Sequence, residues 1–124
     1  MQSIQTNLAP PAVGPYSQGQ KSGNFIFFSG QIALSLAGRF IDQSIEKQTQ
    51  QVFKNIEGLL TSQNIRRENI CKATVFLTDM DDFGVVNEIY ADFFGEHKPA
   101  RSCVEVSKLP LGANIEIEVL AETN

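Results

Sequence analysis

The chain has no tryptophan, a single histidine and only two cysteines in 124 residues, and each scarcity removes a class of chemistry. The lone histidine, His97, stands in the charged loop GEHKP beside a proline, where it reads as a solvated turn residue. A histidine relay is thereby excluded, and no cluster of His, Cys, Asp and Glu has the spacing of metal ligands. Cys71 and Cys103 form neither a CxxC pair nor a secreted disulfide framework, so both are expected as reduced thiols. Cations are scarce too: 10 Lys and Arg against 14 Asp and Glu leave a formal charge of −4. Such a chain has little general attraction for phosphate backbones, which disfavours nucleic acid as a partner. No apolar run is long enough to cross a membrane, and the opening MQSIQTNLAPPAVG has neither a basic leader nor an apolar h-region. The expectation is a cytoplasmic protein.

What is present is ordinary for a globular chain. With 42% hydrophobic and 19% charged residues, and with no repeat, linker or low-complexity tract, residues 1–124 are expected to form one domain around one core. The run NFIFFS (24–29) is apolar at successive positions and predicts a strand covered on both faces, ended by GQ. IALSLAGRFI (32–41) places a Gly-containing turn between two apolar pieces and reads as a hairpin. From Ser44 the period changes to that of a helix: Ile45, Thr49, Val52, Phe53, Ile56, Leu59 and Leu60 share a stripe, and Ser44 suits the N-cap.

NICKATVFLTD (69–79) follows as a strand, with Cys71, Ala73, Val75 and Leu77 predicted on one buried face. A second helix is predicted from Met80 or Asp81 to Phe94, its stripe formed by Phe83, Val86, Ile89, Tyr90 and Phe93, weakened by Gly84 and ended by Gly95. ARSCVEVS and NIEIEVLAE read as closing strands joined in a hairpin through KLPLGA. The predicted fold is α+β, with two helices on one face of a mixed sheet.

Alternation along the last two strands sorts their side chains. Arg101, Cys103, Glu105 and Ser107 point one way, and Ala100, Ser102, Val104 and Val106 the other; Ile115, Ile117 and Val119 oppose Glu116 and Glu118. Paired as a hairpin, these halves predict an apolar face under the helices and a face carrying an arginine, carboxylates and a thiol turned away from them. Cysteine is among the most buried residue types, and two helices cannot cover both sides of a sheet, so another copy of the chain is expected over the second face, with Arg101 near the seam.

GPYSQ (14–18), FFSGQI (27–32), TVFLTDMDDFGVVNEIYADFF (74–94), PARSCVEVSKLP (99–110) and GANIEIE (112–118) resemble, in order and spacing, the RidA/YjgF family of reactive intermediate deaminases over nearly the whole chain. The resemblance implies a chorismate-mutase-like fold, assembled as a homotrimer around a central β-barrel with ligand clefts between subunits. It also implies hydrolysis of 2-imino acids, such as 2-iminobutanoate and 2-iminopropanoate, to 2-keto acids and ammonia, with neither metal nor organic cofactor. The partners implied are small imino or keto acids and other copies of the chain.

By the same resemblance Arg101 grips the substrate carboxylate, for which its planar fork is suited. Glu116 positions or deprotonates the attacking water. Tyr16, Ser29, Gly30 and Asn87 line the cleft, and Cys103 is a pocket wall, since no base accompanies it in its motif. Arg39 stands where the family's turn commonly carries an acidic residue. The competing readings are a trimeric small-acid-binding or chaperone-like protein and an RNA-cleaving translation inhibitor, the latter at odds with the charge of −4.

Overall fold

The computed structural model describes residues 1–123. Eight regular elements follow in chain order: β1 (Gln2–Ile4), β2 (Gly19–Ser22), β3 (Phe25–Phe28), α1 (Ile45–Ser62), β4 (Ile70–Leu77), α2 (Phe83–Phe94), β5 (Ala100–Glu105) and β6 (Ile115–Glu122). The strands form one mixed sheet in the order β1-β2-β3-β6-β4-β5, all neighbours antiparallel except β4 and β5. The α+β class and the pair of helices are as the sequence predicts.

α1 begins where its cap demands. The Ser44 hydroxyl accepts from the Lys47 backbone N–H at 3.2 Å, satisfying one of the donors a helix start leaves unpaired. Val52, Ile56, Leu59 and Leu60 are all but fully buried, and removing such side chains from water stabilises the fold by roughly 1.5–3 kcal/mol each. α2 follows a short 3-10 turn, Met80–Asp82, and ends at Gly95, whose positive φ of 62° glycine adopts at no steric cost. Between the helices and the inner sheet face lie Ile26 and Phe28 of β3, Ala73, Val75 and Leu77 of β4, and the Ile115, Ile117, Val119 and Ala121 row of β6.

The sheet corrects several expectations. β5 and β6 are not a hairpin: β4 lies between them, pairing in parallel with β5 and antiparallel with β6. The chain leaves β4, crosses through α2 and returns as β5, the crossover a parallel pair requires. The pairing Ala73↔Arg101, Val75↔Cys103 and Leu77↔Glu105 therefore puts Arg101, Cys103 and Glu105 on the helix side of the sheet, the reverse of the face predicted. Val104 falls on the open side, level with Phe76 and Glu116.

Cys71 is exposed rather than core, although Ala73, Val75 and Leu77 are buried as expected. The register between β4 and β6 slips between Ile70 and Lys72, and the extra residue of that bulge turns the thiol outward, where it donates to the Leu120 carbonyl at 3.3 Å. His97 is half-buried, its Nε2 2.6 Å from the Ile70 carbonyl oxygen, and so fastens the α2–β5 loop instead of standing in solvent. The 32–41 segment closes through a single bridge, Leu34↔Phe40, about the Gly38 turn rather than as a pair of strands.

In β3 alternation replaces the expected double coverage: Ile26 and Phe28 are buried while Phe25 and Phe27 are 40% and 53% exposed. With Val104, 42% exposed, and the half-buried Phe76 and Leu120, they make an apolar stretch on the sheet face that neither helix covers.

Candidate active site

Two groups of side chains emerge on opposite faces of the sheet. The first gathers around Arg101. Lying on the helix side of β5, Arg101 donates from Nη1 to Asn87 Oδ1 of α2 at 2.7 Å. Its guanidinium carbon stands 4.7 Å from the Tyr90 ring centre and 5.4 Å from that of Phe83, so two successive turns of one face of α2 supply both the acceptor and the aromatic platform. Such stacking contributes about 0.5–1 kcal/mol at an exposed site, and restrains an otherwise flexible side chain. Among the described residues Asn87 is the one hydrogen-bond acceptor Arg101 uses, leaving the remainder of its five-donor fork for a ligand.

Arg101 opens onto a hollow of about 440 Å³ lined also by Asn87, Tyr90, His97 and Lys98. Cys103, two residues on, packs against the core; burial pushes its thiol upward, outweighing the opposing pull of Arg101, and the group stays a neutral thiol at neutral pH.

The second group surrounds Glu116. Its carboxylate lies directly over Gly30: a Cβ placed at Gly30 would come within 2.8 Å of Glu116 Cδ and 3.1 Å of Cγ. Burial, and secondarily the neighbouring Glu118, raise the Glu116 carboxyl above its ordinary value of 4.5. No side chain hydrogen-bonds to it among the described residues. Tyr16, half-exposed, shares with Gly30 and Glu116 a cleft of about 240 Å³. Ser29 donates its hydroxyl to the Ser17 carbonyl at 2.6 Å and its N–H goes to the Gln18 carbonyl, so it pins the Tyr16 segment to the end of β3.

The structure thus brings Arg101, Asn87 and Cys103 together, and Tyr16, Ser29, Gly30 and Glu116 together, but does not join the two sets within one chain. The pairing Phe76↔Glu116 beside Val75↔Cys103 shows why: adjacent residues of β4 point to opposite faces, and the two sets follow them. Sequence reasoning missed Tyr90 and Phe83 as partners of Arg101, assigning both to the core stripe alone. The available signal was spacing, since Phe83, Asn87 and Tyr90 recur at i, i+4 and i+7 and must share one helix face. Gln18 was missed as well. Buried, it accepts from Thr6 N–H and donates to the Thr6, Ala9 and Pro10 carbonyls, which shapes the loop carrying Tyr16.

A fold and a divided site of this kind can be set beside known proteins. The family model for Endoribonuclease L-PSP matches residues 6–123, and the chain belongs to that family, the YjgF/RidA family. Among its relatives, Reactive Intermediate Deaminase A, chloroplastic, of Arabidopsis thaliana is 44% identical over 119 residues, covering 95% of this chain and 64% of that protein. Protein MMF1, mitochondrial, of Saccharomyces cerevisiae is 45% identical over 118 residues, covering 95% and 81%. Of the solved structures, E. coli TdcF with bound serine superposes with a TM-score of 0.93 at 37% identity, covering all of both chains.

Proposed function

We propose that the protein hydrolyses small reactive 2-imino acids, 2-iminobutanoate and 2-iminopropanoate among them, to 2-keto acids and ammonia, acting as a homotrimer around a β-barrel with clefts between subunits. The observation that carries this reading is the division of the site. One sheet face offers an arginine fork held by Asn87 and two rings; the other offers a half-buried carboxylate with raised pKa. A cleft between two copies unites them.

In that cleft the Arg101 fork takes the substrate carboxylate. Glu116 removes a proton from a water molecule as its oxygen bonds to the iminium carbon, and the C=N π pair moves to nitrogen. The proton held by Glu116 passes to that nitrogen, the C–N bond breaks, and the hydroxyl becomes the keto oxygen as it gives its proton to Glu116, which passes it to the departing ammonia and is restored as the carboxylate. Water and iminium are consumed and ketone and ammonium formed, with no redox change. Base assistance of this kind contributes about 10² to 10⁴ in rate, and holding water and substrate together contributes through proximity. Cys103, a neutral thiol, forms part of the wall. Tyr16, Ser29 and Gly30 shape the Glu116 side.

The relative named Reactive Intermediate Deaminase A and the serine-bound TdcF both favour a small amino-acid-derived ligand. The alternative of RNA cleavage draws no support from a chain of charge −4. Among the described residues no helix is long and apolar enough to cross a membrane; the cytoplasm remains our placement, although the yeast relative is named mitochondrial. The test is keto-acid release from freshly generated 2-iminobutanoate with no protein, wild type and Arg101→Ala. Loss of charge-assisted bonds worth ~1.5–3 kcal/mol each predicts that the variant retains at most about a tenth of the acceleration. A wild-type rate equal to the uncatalysed one, with folded protein, overturns the proposal.

A further inference from the structure

Leu111 sits in the left-handed region, φ 59° and ψ 19°, where leucine is rarely found, and its side chain is 64% exposed. Strained backbone of this kind collects at ligand clamps, and here it presents a large apolar side chain mostly to solvent. Leu111 lines the cleft that holds Gly30 and Glu116, as do Pro11, Val13, Ile32 and Leu34, Val13 being 69% exposed. Gln18 bonds the Thr6 to Pro10 backbone and Gln31 donates to the Ser29 carbonyl, which leaves the Tyr16 hydroxyl, the Gln31 amide oxygen and the Glu116 carboxylate as the polar side-chain groups of an otherwise apolar lining. At about 240 Å³ the space falls just below the ~300–1,000 Å³ of drug-sized sites, and it has room for a branched aliphatic side chain as well as for a methyl group.

A 2-imino acid has three arms on its reacting carbon, and the groups of the two half-sites sort them. The carboxylate belongs with Arg101 and is repelled by Glu116, the nitrogen belongs beside Glu116, and the third arm is left with the apolar wall. We propose that Leu111, together with Val13 of the same cleft wall, determines side-chain specificity, and that the site selects imino acids with extended aliphatic side chains, of the leucine-derived type, over alanine-derived and acidic ones. This rests on the deaminase reading and extends it to the substrate class.

The experiment measures keto-acid release from imines generated in place from L-alanine, L-leucine and L-glutamate by an amino-acid oxidase, using wild type and Leu111→Asn. Asparagine tolerates the left-handed conformation, so the backbone keeps its shape while the wall is lost. In parallel, calorimetry titrates pyruvate and 4-methyl-2-oxopentanoate into both proteins, and light scattering records their oligomeric mass. Wild type is expected to prefer the leucine-derived imine by on the order of tenfold in kcat/KM, with the glutamate-derived one poorest. The variant should lose on the order of tenfold on the leucine-derived imine and under about threefold on the alanine-derived one.

Equal losses on both, an unchanged variant, or a wild-type preference for the alanine-derived imine overturns the proposal. So does a change in oligomeric mass with parallel losses, which would make Leu111 a subunit contact. If wild type hydrolyses no imine, the titrations decide: tighter binding of 4-methyl-2-oxopentanoate that Leu111→Asn abolishes upholds the cleft and removes the reaction, whereas equal or absent binding removes the cleft assignment too.

Discussion

Gly30 has no side chain where one would strike the Glu116 carboxyl group, and that single contact links backbone to proposed chemistry. Gly30 needs no left-handed backbone, so Gly30→Ala leaves the fold near wild-type stability while swinging the flexible carboxylate aside. We predict a loss of imine hydrolysis of at least tenfold, in line with the ~10² to 10⁴ that base catalysis contributes, with a thermal midpoint shifted by a few degrees at most. Rates and melting curves on one preparation check both halves. The raised pKa of Glu116 adds a second expectation. An acid whose folded pKa is raised binds more protons folded than unfolded just above its ordinary 4.5, so its contribution to stability is full below that value and declines as pH climbs through the folded pKa. Glu116→Gln should therefore be more stable than wild type at pH 7, the difference closing near pH 4, as urea denaturation at both pH values would register. At this scale Arg101, Asn87 and Glu116 became candidates because the motifs that carry the family resemblance are local in sequence, whereas the sheet face on which Arg101 stands was not legible. Tyr90 and Leu111 were not, since a ring in a stripe reads as core and a strained leucine shows nothing until its φ is known.

Between elements, glycine again decides a contact. The Leu8–Ala9 backbone crosses α1 at Gly58, where a Cβ would lie 2.9 Å from the Leu8 carbonyl carbon. Gly→Ala inside a helix ordinarily gains ~0.5–1 kcal/mol, but backbone cannot rotate away as a side chain can, and overpacking costs roughly 1–3 kcal/mol. Gly58→Ala should be destabilising on balance, by about 1–2 kcal/mol in chemical denaturation; a stabilised variant would show that the crossing is loose. α1 itself was readable from end to end, because its cap and 3.6-residue period are both local. The pairing of β5 was not. Two strands joined by a Pro-Gly loop satisfy every short-range rule for a hairpin, and only the insertion of β4, a long-range event, excludes it. The bulge that expels Cys71 is equally silent in the sequence. β2 and β3 differ in kind: Gly23-Asn24 between them is a recognised two-residue hairpin signal, and it stood unread because GQKS has too little apolar character to read as a strand.

For the molecule as a whole, the uncovered sheet face and the divided site make the same demand. Phe25, Phe27 and Val104 leave an apolar stretch beside Glu116 that a second copy would bury, and Phe27→Asp is predicted to lower the mass seen by light scattering and to abolish hydrolysis together. Normal mass in that variant would place the contact elsewhere. The most direct measurement mixes two inactive proteins. Arg101→Ala keeps Glu116, and Glu116→Gln keeps Arg101; if each site draws its arginine from one subunit and its carboxylate from the next, random co-assembly after refolding at equal ratio restores about a quarter of wild-type activity. Recovery near that level upholds a site built across subunits. Mixed oligomers, verified by mass, that stay as inactive as their parents would contradict it.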